Sequence, residues 1–222
     1  MPNRIRAVEI RLPEAELLAD LYSIVSDLRS AEEFCAKAIE LETSTPRDLA
    51  AEEGLASAAV IRYGRCFTTG VRLRLNRDDL VGLSAEDLAE HDHFYALRDR
   101  FIAHSISPFE ETYVTASARE RDGEKLPITS IGPGHHKVLL DASTAKALSA
   151  LIDKVKNEVN RRVAIEERKL LEFIQTLPIE VIHAGDLHSP RPIQPADVHK
   201  TRRQRQISNK SLQGRHAKTR TI

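Results

Sequence analysis

The stretch His91-Asp-His-Phe-Tyr-Ala-Leu-Arg-Asp-Arg-Phe-Ile-Ala-His-Ser105 sets the fold class and holds the densest group of side chains able to do chemistry. Leu88, Phe94 or Tyr95, Leu97 and Phe101 recur at three- and four-residue steps, which is the period of an amphipathic helix. Ser84, followed three residues later by Asp87, supplies an N-cap with an acid in the first turn, where the helix dipole is positive. Ser107-Pro108 ends the helix soon after His104, because a proline pushes the residue before it out of the α region.

On a continuous α-helix His104 falls seven residues after Leu97 and three after Phe101, on or beside the apolar stripe. Arg100 is i−4 to His104 and shares its face. Arg98, six residues before His104, projects roughly 120° away at about 100° per residue. An imidazole moves protons near neutral pH, and a guanidinium holds a phosphate in a two-pronged grip. The plain alternative for His104 is a core histidine with one hydrogen-bond partner. For Arg98 it is a surface arginine paired with Asp99 or with an acid on another helix, and for Asp99 it is helix-surface charge.

Arg98-Asp-Arg-Phe-Ile-Ala-His104 resembles the signature of the HEPN superfamily: an arginine, a polar residue, a short spacer and a histidine. The longer string Leu97–Ser105 looks most like the AbiU-like branch of abortive-infection proteins. The resemblance covers residues 84–108 well and residues 13–178 loosely. It implies a dimerising α-helical bundle whose active members are metal-independent ribonucleases, with the arginine and histidine of two protomers at one site. It therefore implies catalytic roles for Arg98, Asp99 and His104, with no cofactor and no metal. Arg98 fits the family spacer, whereas the three residues between Arg100 and His104 are too few. An antitoxin protein is a further implied partner. Some members present a tyrosine to it two residues after the histidine; here Ile106 stands at that position.

The 222 residues suffice for one sizeable domain plus extensions. Equal numbers of basic and acidic residues, 33 of each, remove any global field that would draw in nucleic acid. Aromatics are few and tryptophan is absent, which suits helices with solvated faces. Cys35 and Cys66 have no metal or redox spacing and read as buried thiols of a reducing cytoplasm. The N-terminus lacks the apolar core of a signal peptide. No segment approaches the ~20 apolar residues of a membrane span. A soluble cytoplasmic protein with no membrane partner is the expectation.

Residues 4–12 alternate weakly, as in an extended arm. Pro13-Glu14 opens a helix that keeps its period to about Glu42. Thr43-Ser-Thr-Pro46 breaks it and caps a second helix rich in small residues, among them Gly54 and Gly64. Those residues predict close approach to a neighbour, since glycine costs helix stability. The short connection predicts antiparallel packing of the two helices. Tyr63, Arg62 and Arg65 lie near the end of the second helix, with ordinary packing and solvated arginines as their plain reading.

Residues 75–83 form a charged connection to the motif helix. Tyr113-Val-Thr115, Ile128-Thr-Ser-Ile131 and Lys137-Val-Leu-Leu140 are β-like, with turn signals at Asp122-Gly123 and Gly132-Pro-Gly134. They predict a two- or three-stranded insertion at about 110–140. Asp141–Thr144 caps a long helix striped by Leu148, Leu151, Ile152, Val155, Val159, Val163, Leu170, Phe173, Ile174 and Leu177, ending at Pro178. Its length suggests that part of it reaches a partner subunit. The predicted fold is mainly α: an antiparallel four-helix-type bundle over residues 1–188, with a small β-hairpin insertion between the third and fourth helices.

Residues 189–222 carry nine basic residues and one acid, which makes this tail +8 and the remainder −8. Its poverty in apolar residues predicts disorder. Arg202, Arg203 and Arg205 suit an electrostatic grip on RNA phosphates. His91, Asp92 and His93 make up no complete ligand set, and His135-His136 reads as a solvent-facing turn, so metal binding is weakly supported. The resemblance implies a metal-independent endoribonuclease of toxin–antitoxin or antiphage type, acting on RNA as a homodimer. The other reading is a catalytically inactive helical dimer that binds RNA or a protein partner.

Overall fold

The helical periods of the sequence become helices wherever a cap and a packing partner coincide. The computed structural model describes residues 8–10, 12–103, 112–121, 123–135, 140–183 and 195, with the backbone alone for Phe101, Ala103, Leu126, Val181 and His183. His104 and the tail arginines Arg202, Arg203 and Arg205 therefore lie outside the described residues, as does most of the proposed N-terminal arm.

The chain is mainly helical with small antiparallel two-stranded sheets. A 3-10 turn at Pro13–Ala15 leads into α1, Glu16–Glu42. Helix α2 spans Leu49–Arg65. Its N-cap is Asp48, whose carboxylate accepts from the Ala51 amide at 2.9 Å. This corrects the placement of the cap at residues 43–46, because the aspartate two residues past the proline reaches the free amides of the first turn. Helix α3, Ala85–Leu97, opens on the Ser84 N-cap that the sequence predicts, and Asp87 bonds back to the Ser84 amide to complete a reciprocal box. Helix α4, Ala142–Gln175, is capped by Asp141, which accepts from the Ser143 and Thr144 amides. A short helix, α5, follows Pro178 at Ile179–His183.

Among the described residues the insertion holds four strands: β1 Thr112–Ala116, β2 Arg119–Arg121, β3 Glu124–Leu126 and β4 Ile131–His135. β1 pairs antiparallel with β4, and β2 with β3. Gly123 turns β2 into β3 at φ 83°, a conformation that glycine adopts without penalty. Gly132-Pro-Gly134 is not a turn as predicted but part of β4. Tyr113 lies across Gly134, where an added Cβ would collide with the ring, so this glycine makes room for a cross-strand aromatic. The predicted strand at 128–131 reduces to Ile131, where β4 begins; Leu140 of the third predicted strand is buried, and residues 137–139 fall outside the described set.

Two compact units can be separated, and α1 and α4 each contribute to both. The first comprises residues 1–26, 68–75 and 157–222. Its described core includes Leu21 and Ile24 of α1 with Val159 and Val163 of α4. Asp20, fully buried, accepts from the Leu73 amide at 2.8 Å, and Tyr22 donates to Glu167 at 2.6 Å. That bond, with Glu167 as neighbour, pushes the phenol up to about 12. Here the predicted stripe of α4 is only partly covered. Leu170, Phe173, Ile174 and Leu177 are half-buried, whereas the stripe residues from Leu148 to Val163 are buried. Periodicity names the apolar face but not what packs on it.

The second unit comprises residues 27–67 and 76–156. Asp27 of α1 meets Arg62 of α2 at 2.9 Å and Arg65 at 3.8 Å, so α2 runs back along α1 as the short connection predicts. Glu52, 1% exposed, accepts two bonds from Arg47 and one from the Ala142 amide, tying α2 to the start of α4. The Arg47 guanidinium, its main partner, holds the Glu52 carboxyl below its ordinary value. Lys154 pairs with Asp87, and Lys156 with Glu32, joining α4 to α3 and α1. Burial pushes the Cys35 thiol up to about 12, which makes it an inert core group. Among the described residues, no helix is long and apolar enough to cross a membrane.

Candidate functional site

The site is built on α3 and on the turn that follows it. The α-helix ends at Leu97, and Arg98–Ala103 continues as a π-helical turn. Such turns carry i→i+5 hydrogen bonds and often mark functional positions. This corrects the prediction of a continuous α-helix through the motif. The assignment of faces at about 100° per residue does not hold across 98–103, so the apparent advantage of Arg100 over Arg98 loses its geometric basis.

The turn opens on Arg98 and Asp99. The Arg98 side chain is 24% exposed, and its Nη1 lies 3.3 Å from Oδ1 of the half-exposed Asp99. That distance is long for a charge-assisted bond. The pairing is the one that a plain surface reading of Arg98 also predicts, and so does not by itself distinguish a functional arginine. The stem of Arg98 packs against Gly64 of α2, with Cγ 2.7 Å from the position a Gly64 Cβ would take. The predicted close approach of α2 is thus met at Gly64, whereas Gly54 has nothing within 4 Å.

One heptad before Arg98, His91 points inward. It is buried, with Nδ1 2.8 Å from the hydroxyl of the fully buried Tyr63. Phe67 packs on the imidazole at a centroid distance of 4.4 Å, and on the Tyr63 ring at 5.1 Å. Asp92 faces outward and pairs with Arg77. His91, Asp92 and His93 are consecutive on an α-helix and so fan apart instead of converging on one point. His135 Nδ1 is engaged by Thr112 Oγ1 at 3.1 Å. Among the described residues, no group of three or more His, Cys, Asp or Glu side chains is placed to hold a metal ion.

Burial holds the His91 pKa below its ordinary 6.5, against the pull of Asp92 and with the help of Arg77. Burial also raises the Tyr63 phenol, so both groups are neutral near pH 7. A histidine whose folded pKa is depressed binds its proton first in the unfolded chain. Its contribution to stability is complete above pH 6.5 and shrinks as the pH falls through the window below it. His91→Gln, which keeps a polar partner for Tyr63 but does not titrate, should therefore lose less melting temperature than the native chain between about pH 7.5 and about pH 5.5. Parallel pH profiles for the two proteins would refute this.

The sequence singled out Arg98, Asp99 and His104, and the structure places the first two at the head of one π turn. It missed the Tyr63–His91 bond and the seat of Arg98 on Gly64. The one signal for the seat was the run of small residues in α2. Neither a family model nor a curated protein nor a solved structure matches this chain.

Proposed function

We propose that the chain is a metal-independent endoribonuclease of the HEPN type, similar to the AbiU-like branch, in a toxin–antitoxin or antiphage setting. Its helices then form an antiparallel four-helix-type bundle. The observation that carries the reading is the placement of Arg98: a stem packed on Gly64, a side chain 24% exposed, and a position at the head of a π turn that ends one residue before His104 in sequence. In the proposed reaction His104 takes the proton of a ribose 2′-OH. The 2′-oxygen attacks the adjacent phosphorus, the bond to the 5′-oxygen breaks, and that oxygen takes a proton from water as it leaves. The products are a 2′,3′-cyclic phosphate and a 5′-hydroxyl. Arg98 neutralises the charge that develops on the phosphoryl oxygens, and Asp99 orients Arg98 or His104. The test is incubation with a defined single-stranded RNA and analysis of the new ends. A 5′-phosphate formed only with added metal would overturn the reading, because that chemistry activates water and not the 2′-OH.

The reading requires a symmetric homodimer, since the resemblance places two motifs at one cleft. Ile165, Leu171 and Ile179, each more than half exposed, leave apolar surface along α4 and α5 for such an interface. Light scattering is expected to give twice the chain mass at micromolar concentration; a monomer alone would count against it. Deleting residues 189–222 should weaken RNA binding and flatten its salt dependence, because each phosphate left without a cation removes roughly 0.7 from the log–log slope on a single strand. An unchanged slope in fluorescence anisotropy would exclude the tail from the RNA-binding surface.

A second reading is a catalytically inactive helical dimer that binds RNA or a protein partner. It is favoured by the β1–β4 ribbon, where Val114 is 78% and Ile131 76% exposed. Apolar surface of that kind marks interaction sites.

A further inference from the structure

Gly64 lies in the last turn of α2, and the stem of Arg98 fills the space beside its Cα. A Cβ built on Gly64 would stand 2.7 Å from Arg98 Cγ and 3.2 Å from both its Cβ and its Cδ. Non-bonded carbons settle at about 3.5–4.0 Å, so any larger residue at position 64 collides with Cγ of the stem and crowds its Cβ and Cδ. A rotamer change clears Cγ and Cδ only by taking them off the α2 surface. It leaves the Arg98 Cβ, which the backbone of the π turn fixes. Gly54 in the same helix has open space beside it, so the seat belongs to position 64 and not to glycine in α2 generally. Glycine is a poor helix former, which makes its presence here a cost that the close approach explains.

We infer that Gly64 is a positioning residue for Arg98: its bare Cα lets the arginine stem lie against α2 and fixes where the guanidinium emerges. The neighbouring residue supports the same arrangement. Tyr63 holds His91 by a 2.8 Å hydrogen bond, and His91 precedes Arg98 by two helical turns. Successive residues of α2 thus anchor α3 and the turn that follows it, one by a hydrogen bond and the other by van der Waals packing. Among the described residues Asp99 is the partner that meets the guanidinium, at 3.3 Å. A guanidinium carries five N–H donors, and the bond to Asp99 engages one of them. What Arg98 binds rests on the ribonuclease reading above; how it is held rests on geometry alone.

The experiment uses the full chain with Gly64→Ala, Arg98→Ala and the double variant. In thermal melts without RNA, Gly64→Ala should lower the melting temperature of the native chain clearly more than that of the Arg98→Ala chain, where Cγ and Cδ are gone and only the Cβ contact at 3.2 Å remains. With the defined single-stranded RNA at saturation, Gly64→Ala should lower kcat roughly 10- to 100-fold, the scale of a misplaced catalytic group, with little change in KM. In the Arg98→Ala background it should cost nothing more. Equal melting losses in both backgrounds would overturn the inference. So would an unchanged kcat in Gly64→Ala, since a merely structural role leaves turnover intact. A native chain that cleaves no RNA would sink the ribonuclease reading instead, and the melts would still decide whether Gly64 holds Arg98.

Discussion

Arg98→Ala and His104→Ala are each expected to abolish most RNA cleavage, and the double variant to be little worse than either. A general base contributes about 10²–10⁴-fold, and a donor to a developing oxyanion about 10²–10³-fold. Here both act on one transition state. Once the base is gone, the clamp has no attack to stabilise, so the losses do not add. Arg100→Ala should do less, because its spacer to His104 is outside the motif. Arg98→Ala should fold, since its side chain is partly exposed and its truncation opens no large core cavity. EDTA should leave the native rate unchanged. The check is the initial rate on one defined RNA, with circular dichroism and light scattering on every variant. Full activity in His104→Ala would end the catalytic reading and leave the binding-module alternative.

Tyr63→Ala should cause a large loss of stability, about 3–5 kcal/mol by analogy with other aromatic truncations in cores. Tyr63 is fully buried, packs on Phe67 and bonds His91. Removing the ring opens a cavity between α2 and α3 and strands the imidazole. Tyr63→Phe keeps the ring and removes only the hydroxyl, which leaves His91 Nδ1 without its partner for about 1–3 kcal/mol. Urea titrations of the three proteins separate the two parts. Equal losses for Ala and Phe would mean that the hydrogen bond, and not the packing, dominates. No loss for either would show that the pair does not hold α3 in place.

Most of the helical framework was legible in the sequence, because it depends on local rules. Ser84 with Asp87 capped α3, Asp141 capped α4, and Pro178 stopped it, each by satisfying or removing groups within one turn. The α1–α2 hairpin followed from a short connection. The insertion was legible as β but not in its pairing, because Gly132-Pro-Gly134 has turn composition and only Tyr113 on the opposite strand gives Gly134 a reason to be in β4.

Of the candidate site, the order of residues established which types stand together: an arginine, an aspartate and a histidine within seven positions. How the first two are held came from packing. The switch from α to π at Arg98 is invisible to a 3.6-residue count, which assumes one geometry throughout. That Arg98 rests on Gly64 depends on the approach of two helices whose residues lie 34 positions apart. His91 looked like its neighbour His93, yet it is His91, three residues after Leu88 and three before Phe94, that is buried against Tyr63. The stripe of α4 is continuous in sequence, but Leu148 to Val163 are buried while Phe173 and Leu177 are half-covered. An apolar period states which face seeks burial; only the elements packed against that face determine whether it is buried.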